Sequence, residues 1–160
     1  MCKDETHALF TNGAQAYSTY RPDYPDELYS MILDFAGIDT QTKIALAVDV
    51  ATGQGQAALQ LSHRFQKVIA LDANTQQLAH ARHAPNIEYM LADAHHTGLP
   101  DNCADLVTAA SALHWFDQKV FYREARRILK PGGTLAAWAI PLGLATITVP
   151  QVRLLKWPSC

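Results

Sequence analysis

The sequence predicts an α/β domain: an open, mostly parallel sheet with helices on both faces. Three observations predict it. Apolar runs of strand length recur along the chain, at residues 43–50, 67–71, 87–92, 106–110 and 134–140. Stretches with apolar residues at helical spacing separate most of these runs, which is the rhythm of parallel strands joined by crossover helices. The first run, KIALAVDV, passes straight into a glycine turn, Thr52-Gly53-Gln54-Gly55-Gln56, and then into a helical stretch. That order presents backbone N–H groups at a positive helix end, and glycine lets a ligand approach the main chain closely. Ligands of such sheets sit at the carboxyl ends of the strands.

Each element can be justified in turn. Residues 1–24 are polar and aromatic, and the YRPDYP stretch at 20–25 reads as a turn because each proline restricts the residue before it. Asp26 stands where an N-cap would, Leu28, Met31, Ile32 and Phe35 then form a helical stripe, and Gly37 ends it. The tyrosines of this leading segment suit either a lid packed on the sheet or a cover over a ligand. After the glycine turn, Ala57, Ala58, Leu59 and Leu61 mark a helix. The second strand ends in Asp72, and a helix over 75–82 turns Leu78 and Ala79 inward, with His80 and His83 on its wetter side. Asp93 closes the third strand, and SALHWF (111–116) follows the fourth. The helix over 120–130 carries Phe121, Tyr122, Ala125, Ile128 and Leu129 on one side, with Asp117 as its cap. Pro131-Gly132-Gly133 cannot continue that helix, so the fifth strand starts at Thr134.

Beyond it the rhythm breaks. No acidic residue follows Pro131, and only Ala145 to Val149 has β character, with Pro141 and Gly143 able to turn it back on the fifth strand. The expected organisation is one domain over 1–140, with a lid segment over 1–36, and an atypical tail over 141–160.

The bulk numbers exclude several classes. A net charge of −2 and the absence of a Lys/Arg cluster leave no footprint for nucleic acid. Cys2, Cys103 and Cys160 are odd in number and far apart, which argues against a disulfide framework. No apolar stretch suits a signal peptide or a membrane span, so the expectation is a cytoplasmic protein without a membrane partner. His80 with His83, and His95 with His96, lack thiolates or carboxylates at ligand spacing, so no metal is expected and these rings read as solvated surface.

Three strand tips carry the candidate site. Asp49 and Asp72 stand 23 positions apart (72 less 49), close to the ~20 that separate a glycine turn from a ribose-holding carboxylate. Asp93, on the third tip, can accept from an exocyclic adenine amine while the Ala94 N–H points at a ring nitrogen. Asp49 precedes the turn and can order it through the turn's N–H groups. A carboxylate there would repel a pyrophosphate but tolerate a cationic amino-acid end, which disfavours nicotinamide-dependent oxidoreduction.

The run of motifs VDVATGQGQ, VIALD, LADAHHTGLPDNCADLVTAASALHWF and ARRILKPGGTLAAW resembles the class I S-adenosylmethionine-dependent methyltransferases, more narrowly the small-molecule branch that includes trans-aconitate methyltransferase. The resemblance spans about residues 8–140. It implies a Rossmann-like sheet, S-adenosylmethionine as methyl donor and a small-molecule acceptor, a carboxylate among the candidates. It places Gly53 and Gly55 beside the methionine part, Asp72 at the ribose and Asp93 with Ala94 at the adenine, and Asp49, Ala51 and Ala73 complete the expected cofactor-binding set. Ser111 to His114 would lie near the sulfonium. Tyr17, Tyr20 and Arg21 match the family's YxxYRPxYP pattern, which folds toward the site, Tyr17 on the cofactor and Tyr20 and Arg21 on the acceptor side. His114 is the candidate base, with a polar pocket wall as its plainer role. Ala51 replaces the first glycine of the motif, which a small residue serves if φ stays negative.

The resemblance also implies a sheet ordered 3-2-1-4-5-7-6. Nothing after the fifth strand matches it, so the chain reads as a truncated form lacking the last two strands. The expected consequences are an open edge on strand five, self-association through that edge, and only partial cover by Ala145 to Val149. Two functions follow from this reading: an active methyltransferase, or a non-catalytic cofactor-binding or regulatory protein derived from one.

Overall fold

A computed structural model describes residues 23–39, 44–139 and 151–159. In chain order the elements are α1 (Asp26–Ala36), β1 (Ile44–Val50), α2 (Gln56–Ser62), β2 (Phe65–Asp72), α3 (Thr75–Ala79), β3 (Ile87–Leu91), β4 (Ala104–Ala110), a 3-10 turn (Leu113–Trp115), α4 (Gln118–Ile128), β5 (Leu129–Ala139) and β6 (Gln151–Lys156). The strands form one sheet in the order β3-β2-β1-β4-β5-β6. All pairs are parallel except β5 with β6. This is the α/β class that the alternating runs predict.

Period-two alternation along the strands sorts side chains into two cores. On one face Ala47, Leu106, Ala136 and Trp138 pack under α1 and α2 with Tyr29, Ile32, Leu61 and Phe65. On the other, Val48, Val50, Val107, Leu135 and Ala137 pack against Phe121, Ala125 and Ile128 of α4.

Local boundaries differ from the sequence expectation for identifiable reasons. In α1 the N-cap residue is Pro25 and Asp26 is the first helical residue, so its carboxylate, with that of Glu27, meets the positive helix end from within the first turn. Its buried face is Leu28, Tyr29, Ile32, Leu33 and Ala36, leaving Met31 and Phe35 each 43% exposed. The predicted stripe was thus rotated, because Tyr29 finds Trp138 edge-on at 6.0 Å across the core. Gly37 ends the helix at φ 73°, as expected. The α3 helix stops at Ala79, which is exposed, because the Arg82 N–H is spent on the Gln54 carbonyl (2.9 Å) instead of continuing the turn.

The Pro131-Gly132-Gly133 segment lies inside β5, not before it. Register runs from Ala104↔Leu129 to Leu106↔Thr134, so the extra residues are absorbed as a bulge, the place where a strand accepts proline and glycine.

The tail brings the largest correction. Ala145 to Val149 lies outside the described residues, and the strand that pairs with β5 is β6, in register from Thr134↔Lys156 to Ala139↔Gln151. Val152 and Leu154 pack on the α1 face of the core. Lys156 Nζ donates to the Ala36 carbonyl at the end of α1 (2.9 Å). The edge of β5 is therefore covered, the sheet has six strands where five were expected, and self-association through an open β5 edge loses its structural basis.

Candidate functional site

The carboxyl ends of β1, β2, β3 and β4 lie side by side, and the backbone there is unusual. Ala51 (φ 53°) and Ser111 (φ 53°), just beyond β1 and β4, adopt the left-handed region, as do Gly53 (φ 59°) and Gly55 (φ 80°). Such conformations in residues with a Cβ mark sites where the surroundings over-determine the chain. For Ala51 this corrects the expectation of a negative φ: the chain leaves β1 in a left-handed turn regardless of the missing glycine. The Thr52 N–H is held by the Leu71 carbonyl (2.8 Å) and the Gly55 N–H by that of Thr52 (3.0 Å). Ala51→Gly is expected to raise stability by about 0.5–1 kcal/mol, the left-handed penalty less the entropy of glycine, measured as a higher urea midpoint at unchanged slope.

The two glycines serve different ends. A methyl on Gly55 would fall on the Tyr89 hydroxyl, which donates to the Arg82 carbonyl (2.5 Å). Gly55 is thus required by the protein's own Tyr89, whose burial pushes its pKa up to about 12. Among the described residues a methyl on Gly53 would meet only Gln77 Oε1, at 4.0 Å, so they leave that side of the turn open for a ligand to approach the main chain.

Asp49 is fully buried. Thr52 Oγ1 donates to its Oδ2 (2.6 Å) and Thr108 Oγ1 to its Oδ1 (2.6 Å). Burial raises its pKa to about 6, against the lowering effect of Thr108, Thr52 and the Ala58 backbone. Asp49 therefore orders the turn mainly through a threonine hydroxyl and ties it to β4.

At the tip of β2, Asp72 accepts the Gly53 N–H at Oδ2 (2.7 Å) and the Asn74 N–H at Oδ1 (2.8 Å). These bonds fix the carboxylate plane beside the open turn. An ionised carboxylate takes about four donors, so this role is compatible with holding a diol. Ala73 beside it is exposed. At the tip of β3, Asp93 is 59% exposed at its side chain, and its Oδ1 accepts from both the backbone and the ring Nδ1 of His95, each at 2.7 Å. Burial alone would raise the pKa of Asp93; the His95 donors outweigh it and hold the pKa below the usual value. Ala94 is buried.

Ser111 receives a 3.3 Å contact from the Tyr24 hydroxyl, and its N–H donates to the Trp138 carbonyl (2.6 Å). His114 is exposed on the 3-10 turn, its ring tilted against the exposed Trp115 at 4.7 Å. Tyr17, Tyr20 and Arg21 lie outside the described residues. The structure thus brings Asp49, Ala51, Gly53, Gly55, Asp72, Asp93 and Ser111 to one end of the sheet. Among the described residues no group of three or more His, Cys, Asp or Glu could hold a metal ion, and no helix is long and apolar enough to cross a membrane.

Sequence reasoning missed several supports of this end. Asp23 accepts from Gln56 (3.1 Å) and Arg82 (2.9 Å), while its neighbour Tyr24 reaches Ser111, so two adjacent residues span the β1 tip. His95, read as solvated, is tied on both ring nitrogens. Glu124 is buried and accepts from Thr97 N–H (2.9 Å), Thr97 Oγ1 (2.6 Å) and the Arg127 guanidinium (2.7 Å and 2.9 Å). Local spacing offers only Arg127 for Glu124 and Asp93 for His95; the other partners lie on different elements or loops, where no local motif marks them.

Asp49 and Glu124 give stability opposite pH dependences. Arg127 and Thr97 lower the pKa of Glu124 from 4.5 to about 2, so its contribution is complete above about pH 4.5 and lost as pH falls toward 2. Asp49 binds its proton more tightly folded than unfolded, so stability falls as pH rises from 3.8 to about 6. Each swing is on the order of 3 kcal/mol. The urea midpoint is expected to peak near pH 4–5; Glu124→Gln should flatten the acid limb and Asp49→Asn the other.

The methyltransferase domain family matches residues 48–137. A Dictyostelium discoideum protein named as a methyltransferase is 39% identical over 139 residues, 87% of this chain and 51% of the relative. The methyltransferase cfoB of Aspergillus candidus is 34% identical over 145 residues, covering 83% and 45%. A structure from Anaeromyxobacter dehalogenans described as a type II methyltransferase superposes with a TM-score of 0.69 at 36% identity, over 77% of this chain and 50% of that one. The chain spans about half the length of the curated relatives it matches.

Proposed function

The chain belongs to the methyltransferase domain family, and from that membership we propose that it binds S-adenosylmethionine across the tips of β1 to β4 and methylates a small-molecule acceptor, with a carboxylate oxygen as the first candidate. The observation that carries the reading is Asp72, a carboxylate fixed by Gly53 and Asn74 beside the open side of the glycine turn. A vicinal diol is its natural partner, because both ribose hydroxyls can donate to one carboxylate. The donor set suits the rest of the molecule. Asp93 offers an exposed acceptor for an adenine amine, and Asp49 supplies negative charge under the turn where a cationic amino-acid end would lie.

Bound there, S-adenosylmethionine supplies an electrophilic methyl group on a sulfonium. The protein's task is then to hold donor and acceptor in line, which by itself provides much of the rate. An acceptor carboxylate is ionised near neutral pH and needs no base, so His114 serves as a hydrogen-bonding wall of the pocket. Arg21, with its planar fork, and Tyr20 are assigned a role toward the acceptor carboxylate, and Tyr17 a role toward the cofactor.

Calorimetry with S-adenosylhomocysteine and with NAD tests the binding half. The first should bind and the second should not; the reverse would replace the reading with oxidoreduction. Incubation with methyl-labelled S-adenosylmethionine and a panel of small carboxylic acids tests the transfer half. Label appearing as base-labile methyl ester is the expected result, and label appearing only on amines or phenols would overturn the choice of acceptor.

A further inference from the structure

We propose that His95 is a positioning residue: it holds the carboxylate of Asp93 ready for the ligand's base and couples it to the segment beyond β4. The inference rests on the preceding reading of Asp93 as the partner of adenine.

An exposed carboxylate at a strand end samples several rotamers, and a ligand that needs one of them must pay for its fixing. Asp93 is fixed in advance. The backbone N–H and the ring Nδ1 of His95 both reach its Oδ1 at 2.7 Å, which leaves Oδ2 as the atom offered to a ligand amine. The other ring nitrogen, Nε2, accepts the backbone N–H of Asp117 at 3.0 Å. A nitrogen that accepts carries no hydrogen, so the neutral ring keeps its proton on Nδ1, the side facing Asp93. Each hydrogen bond thus sets the tautomer the other requires.

The ring is also held in place by packing. Phe116 meets it edge-on at 5.8 Å between centroids. The Asp117 carboxylate caps α4 through the N–H groups of Lys119 (3.1 Å) and Val120 (3.3 Å). The imidazole is therefore a rigid spacer between the tip of β3 and the junction of the 3-10 turn with α4. The base subsite and the segment beyond β4 are thus joined through one side chain.

Two substitutions separate the two contacts. Asparagine puts a donor near the place of Nδ1 and should keep the Asp93 bond alone. Glutamine reaches the place of Nε2 and should keep the Asp117 bond alone. Affinities for S-adenosylhomocysteine and its inosine counterpart, which lacks the amine, would be measured by calorimetry, and hydrogen exchange at the Asp117 amide by NMR. His95→Ala should weaken the adenosyl ligand on the order of threefold to tenfold and narrow its advantage over the inosyl ligand. His95→Asn should restore that advantage, and His95→Gln should restore Asp117 protection. If the wild type binds and His95→Ala matches it in affinity, base preference and Asp117 exchange, the inference is overturned alone. If the wild type binds neither ligand, the functional reading falls and this inference with it.

Discussion

Asp72→Ala is expected to weaken S-adenosylhomocysteine binding at least about 100-fold. Two hydroxyl hydrogen bonds to an ionised carboxylate contribute about 1.5–3 kcal/mol each, and about 1.4 kcal/mol is a factor of ten. The same substitution removes the acceptor for the Gly53 and Asn74 N–H groups. The ligand-free protein should therefore also melt several degrees lower, at a cost of about 1–3 kcal/mol. Calorimetry well below that transition isolates the binding term. Asp72→Asn gives the second reading, since it keeps the shape but presents an N–H toward one of the backbone donors. Unchanged affinity in a folded Asp72→Ala protein would remove the ribose assignment.

Deleting residues 151–160 is expected to make the protein aggregate. The β6 strand covers β5 along six register positions, from Thr134↔Lys156 to Ala139↔Gln151. Its Val152 and Leu154 pack on one core, and the following Trp157 packs on the other and donates its backbone N–H to the Gly133 carbonyl (3.2 Å). Without it, the apolar edge TLAAWA presents unpaired N–H and C=O groups, the usual template for sheet-to-sheet association. The lost apolar burial adds several kcal/mol of destabilisation. Light scattering during a slow temperature ramp reads the effect directly. A shortened chain that stays monomeric and melts within a few degrees of the full one would show that β6 contributes little.

These two expectations differ in how far the sequence could have led to them. Asp72 was legible because its distance from the glycine turn is a local spacing, and a strand followed by an acid can be recognised without knowing its neighbours. The β6 strand was not legible. QVRLLK has weak alternation and a lysine at its end, and only the β5 edge beside it makes it a strand. The rotation of α1 has the same origin. Met31 and Phe35 are as apolar as Tyr29 and Leu33, and the choice between the two stripes is made by Trp138, which stands over 100 residues later in the chain.

The order and identity of the first five strands and the acids at three strand tips were determined by the sequence alone, because each follows from periodicity and spacing within a few residues. Tertiary structure decided which face of each helix is buried, how the sheet edge is closed, and which side chains hold the acids in place. Those outcomes depend on partners remote in sequence: Thr108 for Asp49 and Asp117 for His95, Tyr89 for Gly55 and Lys156 for the end of α1. Burial and hydrogen-bond satisfaction act between surfaces that meet only once the chain has folded, so no local pattern records them.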